Sequence, residues 1–262
     1  QTIKTRSEVK DHFKCRSITT FRGNSTTSQN RVAFAAFSPN KAPAATNVKL
    51  PNLIGSVVNG PDIGIYSITE NGLTPIKTNY TMNAANGGAA LDDKYICCFM
   101  DQFGGSVYGA YYRVFDMSDW SLIEENYNAD FNLMAECMTS DGNDIYGCFY
   151  NIDLSGYELG TMSLTPVKRT GTICSLAEPY SALACDAEAL YGTYGDGRLV
   201  KINKSTGEET ILTNIGIVSH YLTSAAYDSK TGILYYASCT DAETALYSID
   251  FNNGYAVSKI CD

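Results

Sequence analysis

Histidine is nearly missing from this 262-residue chain, which has only His12 and His220. That scarcity leaves little room for catalysis built on an imidazole base, and no GxSxG-like elbow offers an activated serine in its place. Positive charge is also short: 19 Lys plus Arg stand against 28 Asp plus Glu, for a net charge of -9. Such a balance does not support the phosphate-neutralising surface of a nucleic-acid binder, and an anionic membrane surface is an equally poor partner. No apolar run approaches the roughly 20 residues of a bilayer-spanning helix, so no membrane insertion is expected in this chain. Tryptophan is reduced to Trp120 alone.

Abundant instead are turn and strand formers, with 22 Gly, 19 Tyr and 10 Phe. That content favours short strands joined by tight turns over helices. Residues 1–30 are polar and end in a Ser/Thr/Asn-rich patch, so they are expected to form an N-terminal arm.

The rest of the sequence repeats. One column of strands reads IYSIT (65–69), YRVFD (112–116), LGTMS (159–163), LVKIN (199–203) and LYSID (246–250). Upstream of each lies another: LIGSV (53–57), YICCF (95–99), IYGCF (145–149), LYGTY (190–194) and LYYAS (234–238). Before the last four of these come small apolar runs ending near an Asp: GGAALD, AECMTSD, SALACD and TSAAYD. After the first column come a turn and a fourth strand. Four strands in a period of about 40 to 50 residues are the signature of β-propeller blades. The expected fold is therefore an all-β propeller of four-stranded antiparallel blades, labelled A to D from the axis outward. Five blades are visible in the chain, at about 31–78, 79–127, 128–173, 174–216 and 217–262.

RVAFAAF (31–37) could serve as strand A of blade one, while blade five runs A to D unbroken. Either five blades make a ring without a shared blade, or the chain belongs to a larger ring continuing beyond it; the second reading is slightly favoured. The register puts Gly55, Cys97, Gly147, Gly192 and Tyr236 at equivalent places on the B strands. The next column, Ser56, Cys98, Cys148, Thr193 and Ala237, demands a small residue. Nine cysteines show no CxxC and no zinc-type Cys/His cluster, so Cys98 and Cys148 are expected to be buried and unpaired. Acidic residues at the A-to-B turns suit the turn geometry itself. No metal site, no cofactor and no catalytic constellation is expected.

Two B-to-C connections are long, DQFGGSVYGAY (101–111) and YNIDLSGY (150–157), where blade four needs three residues. In a propeller these connections and the D-to-A connections emerge on one face, since alternate turns of an antiparallel blade point the same way. The candidate ligand-binding residues on that face are Phe103, Tyr150, Asp153, Tyr180, His220, Tyr221 and Asp241. Exposed aromatic rings beside polar atoms suit stacking on sugars or apolar groups.

The elements LVKINKSTGEETIL, SAAYDSKTGILYYASCTDAETALYSID and VFDMSDWSLIEEN resemble blades of secreted or surface-associated β-propeller proteins of Bacteroidetes bacteria. A looser similarity links them to quinoprotein-like repeats. The resemblance implies export, with a periplasmic, cell-surface or secreted destination and Gln1 following a cleavage site. Fold alone does not set function. The leading expectation is a non-catalytic binding or interaction module with a glycan or protein ligand on the loop face. A propeller hydrolase or lyase acting on a sugar or acidic substrate is the alternative, and a scaffold segment of a larger exported protein is a third. Nothing in the sequence sets the oligomeric state.

Overall fold

A computed structural model describes residues 50, 52–57, 64–69, 72–78, 85–103, 106–126, 133–151, 154–219, 223–239 and 244–261. The N-terminal arm and the expected strand A of blade one at 31–37 lie outside these residues. Among the described residues regular structure is all strand, apart from a single 3-10 turn at Phe251–Asn253.

Blade one contributes β1 (Leu53–Val57), β2 (Gly64–Thr69) and β3 (Gly72–Thr78). Blade two is β4 (Ala85–Leu91), β5 (Lys94–Phe103), β6 (Ser106–Asp116) and β7 (Leu122–Asn126). Blade three is β8 (Leu133–Ser140), β9 (Ile145–Asn151), β10 (Gly156–Leu164) and β11 (Val167–Leu176), the last running past the expected boundary at 173. Blade four comprises β12 (Ala182–Cys185), β13 (Ala189–Thr193), β14 (Arg198–Asn203) and β15 (Glu209–Asn214). Blade five comprises β16 (Ser224–Asp228), β17 (Ile233–Cys239), β18 (Thr244–Asp250) and β19 (Ala256–Cys261). Every sheet is an antiparallel meander in chain order.

The register bears out the repeat residue by residue. Gly55, Cys97, Gly147, Gly192 and Tyr236 each pair with the second residue of the repeated five-residue segment on the following strand: Tyr66, Arg113, Gly160, Val200 and Tyr247. The small column beside them, Ser56, Cys98, Cys148, Thr193 and Ala237, is buried in every blade. Its partners Ile65, Tyr112, Leu159, Leu199 and Leu246 are buried as well. A larger side chain in that column would have to displace a neighbouring blade, and cores at native density resist this. Gly192 has a further reason to lack a Cβ, which would collide with the ring of Tyr180 lying across it.

Sequence also dictates which strands face inward. ALAC in β12 and ALYGT in β13 are apolar up to Thr193 and buried throughout, because blades cover both faces there. ETILTN in β15 is the outer strand, and most of it is exposed. Fully burying a Leu or Ile is worth about 1.5 to 3 kcal/mol, so the inner strands carry most of the stabilisation.

Apolar clusters join each blade to the next. Ile96 and Val114 of blade two meet Met134, Phe149 and Val167 of blade three. Cys137, Cys148 and Leu159 of blade three meet Leu183, Leu190 and Val200 of blade four. Ala182 and Leu199 of blade four meet Leu234 and Tyr236 of blade five. Blades one and two touch where Ser56 Oγ lies 3.4 Å from the Tyr95 hydroxyl and Lys77 Nζ donates to the Trp120 carbonyl.

Blade five packs on blade one: Leu50 and Ile68 share a cluster with Tyr235, Leu246 and Ile260. The five blades therefore close a ring on themselves. The expectation of a larger ring is corrected by this contact, because the apolar face that a sixth blade would cover is already taken by blade one.

Tight turns at the A-to-B ends work as expected from their acidic residues. Asp92 and Asp93 both take positive φ, 50° and 56°, which a two-residue hairpin turn requires. Asp141 Oδ1 accepts from the Asn143 and Asp144 N–H groups, and Asp186 Oδ1 from those of Glu188 and Ala189. On this face Lys204 crosses from blade four to blade three, donating to Asp141 Oδ2 at 2.5 Å and to the Asp186 carbonyl at 2.7 Å.

Candidate functional site

The face bearing the B-to-C connections is where the blades differ most. Counted from the equivalent positions, strand B runs one residue past Gly192 in blade four, ending at Thr193, and four past Gly147 in blade three, ending at Asn151. In blade two it runs six past Cys97, ending at Phe103. At a rise of about 3.3 Å per residue, the blade-two hairpin stands about 16 Å further out than its blade-four counterpart. The segment read from sequence as a long connection is thus largely strand, with Asp101 paired to Gly109 and Phe103 to Ser106. VYGAYY supplies the β-favouring residues for that extension.

Beyond the ring this hairpin is two-stranded among the described residues. Strand β4 pairs with β5 only as far as Phe99, and β7 pairs with β6 only over Tyr112–Phe115. Among the described residues, 100–103 and 106–110 have only each other as ladder partners.

Blade three's shorter hairpin is braced from within. Glu158, 2% exposed, accepts from Asn151 Nδ2 at 2.9 Å and pairs with Arg169 at 2.5 Å. Such partners offset the cost of burying a carboxyl group. At the tip the rings of Tyr150 and Tyr157 meet edge to face at 5.4 Å.

Between blades three and four lies a cleft of about 450 Å³, lined by Cys174, Glu178, Tyr194, Arg198, Glu208 and Glu209 among others. Arg198 is fixed by Glu178 and by Asp196, and its guanidinium lies 4.2 Å over the Tyr194 ring. The hydroxyls of Tyr180 and Tyr194 both donate to Glu209 Oε1, at 2.5 and 2.7 Å. Burial and this carboxylate hold both phenols well above their ordinary pKa, so they remain hydrogen-bond donors. Chemically the cleft offers fixed carboxylates, a planar cation and the Cys174 thiol.

Of the residues expected to line the face, Tyr150 lies on the blade-three hairpin, half-buried and already paired with Tyr157. Phe103 ends strand β5 at the far end of the blade-two hairpin. Asp153, His220, Tyr221 and Asp241 lie outside the described residues. Tyr180, expected to line the face, is 1% exposed, packed over Gly192 and 5.1 Å from the Tyr194 ring. Its hydroxyl is taken up by Glu209.

Arg198, Glu178 and Glu209 were not singled out by sequence reasoning. Arg198 sits in the turn YGDGR, which looks like plain hairpin chemistry. An Arg next to an Asp-Gly turn was the available signal, but its pairing with Glu178 depends on how a D-to-A connection passes a B-to-C turn.

No family model matches the chain, and no curated protein does. Solved structures do. A chain of the nidogen/laminin complex matches with 13% identity over 89% of this chain and 81% of its own, at a TM-score of 0.55. Glutaminyl cyclase from Myxococcus xanthus matches with 16% identity over 66% and 69%, at 0.48. A protein of unknown function from Bacteroides thetaiotaomicron matches with 12% identity over 87% and 74%, at 0.47. At these identities the nidogen/laminin likeness supports the propeller fold alone.

Proposed function

We propose that this propeller is a non-catalytic interaction module that engages a partner protein on the face carrying the blade-two and blade-three hairpins. The observation that carries the reading is the blade-two extension, whose outer residues pair only with each other among those described. A two-stranded ribbon in water is marginal on its own, and among the described residues its outer edges leave backbone N–H and C=O groups for another chain. Strand addition satisfies those groups, and alternate side chains then set specificity. A sugar makes poor use of a bare backbone edge, so a protein partner is favoured over a glycan. The matched nidogen/laminin chain comes from an assembly of proteins, which is consistent with this choice although the likeness extends to fold only.

The same proposal places the module outside the cytoplasm of a bacterium of Bacteroidetes type, on the blade resemblance of LVKINKSTGEETIL and its companions. Fractionation of a native host would test that location. The interaction is tested by affinity capture from the host's surface proteins, with the intact chain against one in which residues 101–109 are replaced by Asn-Gly. Loss of a partner on shortening, with the fold retained, supports the reading. Equal capture by both chains, or binding confined to a glycan array, overturns it.

A further inference from the structure

One rung of blade three carries three thiols. Cys137 on β8 is the register partner of Cys148 on β9; Cys148 pairs with Leu159 on β10, which pairs in turn with Cys174 on β11. Side chains directly across antiparallel strands point to the same face. Accordingly Cys137, Cys148, Leu159 and Cys174 all belong to or pack against the cluster facing blade four. All three thiols are free, and the Cys137 thiol donates to the Tyr180 carbonyl at 3.6 Å.

Distance separates the possible pairs. Directly opposed residues on adjacent strands have Cα atoms about 4.5 to 5.5 Å apart, inside the range a disulfide spans. Cys148 and Cys174 are two strands apart, about 9.5 Å, beyond the limit of about 7 Å. Cys185 lies in the same cluster but on β12 of the next blade, with its thiol beside the Thr139 hydroxyl.

We propose that Cys137 and Cys148 are an oxidisable dithiol that closes a cross-strand disulfide between the innermost two strands of blade three. The oxidant is a low-molecular-weight disulfide. One thiolate attacks it, forming a mixed disulfide and releasing one thiol; the second protein thiolate then attacks the protein sulfur and releases the other. Two S–H bonds of the protein are lost, one S–S bond forms, and the two protons and two electrons leave with the two reduced small thiols. Burial opposes the thiolate at Cys137, so closure waits on transient opening of the strand pair. It is therefore slow in the folded chain and easily missed in protein kept under reductant.

The test incubates the folded, initially reduced chain with oxidised glutathione, blocks remaining thiols by alkylation after unfolding, and maps linked peptides by mass spectrometry. A 137–148 linkage should accumulate ahead of all others, revert on adding dithiothreitol, and still form in Cys185→Ser, whose change is on another blade. Recovery of Cys137 and Cys148 as separately alkylated peptides overturns the proposal. So does dominance of linkages to Cys174 or Cys185.

Discussion

Lys204 shows what a single side chain does at a blade junction. It belongs to a turn of blade four, yet its ammonium is held by Asp141 of blade three, and both side chains are largely buried, 12% and 8% exposed. Burial alone raises the Asp141 pKa, but the Lys204 ammonium and the Asp144 and Asn143 N–H groups outweigh it and bring the carboxyl from 3.8 down to about 2. A carboxyl depressed by folding stabilises the native state fully above its unfolded pKa and ceases to do so as pH falls through its folded one. Lys204→Met should therefore cost about 1 to 2 kcal/mol at pH 7. In denaturant titrations the gap to wild type should narrow between pH 4 and pH 2, and a constant gap would contradict the assignment.

The cysteine column makes a second prediction at this scale. Cys98 is fully buried, and burial pushes its thiol up to about 12. In the native chain at pH 8 it should be alkylated only as fast as the blade opens. Cys148→Ser should destabilise by about 1 to 3 kcal/mol, measurable by denaturant unfolding, since a hydroxyl replaces a thiol in an apolar site. The column itself was legible in the sequence because small residues recur at one register position. The Arg198, Glu178 and Glu209 grouping was not, because its members lie on separate turns and strands and meet only when two blades stack.

Among the elements, strand position within the blade decides how much a side chain matters. Leu190 on β13 is fully buried and Ile211 on β15 is 65% exposed. Leu190→Ala should cost about 2 to 5 kcal/mol, while Ile211→Ala should fall within about 0.5 kcal/mol of wild type. Thermal unfolding of the two variants side by side checks the contrast. The blade-two hairpin follows the same logic in reverse. Its outer residues are not laddered to a third described strand, so replacing 101–109 with Asn-Gly should leave the unfolding midpoint nearly unchanged while removing partner capture. Strand columns could be read from hydrophobic and turn patterning alone. The hairpin's extension could not, because Gly104-Gly105 and Gly109 made a paired ribbon look like an open loop.

For the whole molecule, closure is a property of contacts between the first and last blades, more than 160 residues apart in places, as Ile68 and Leu246 are. A repeat period shows how many blades a chain encodes, but not whether the last one meets the first. That depends on the angle each blade turns from its neighbour, which is set by packing of the inner strands. The two projecting hairpins belong to the consecutive blades two and three, which share an apolar cluster of their own. The direct measurement is a double-mutant cycle on stability between Ile68→Ala in blade one and Ile260→Ala in blade five, both buried in the joining cluster. A closed ring predicts a coupling of about 0.5 to 3 kcal/mol, as found for residues sharing one packed cluster. Additivity to within about 0.3 kcal/mol, the behaviour of distant sites, would contradict a ring closed at five blades.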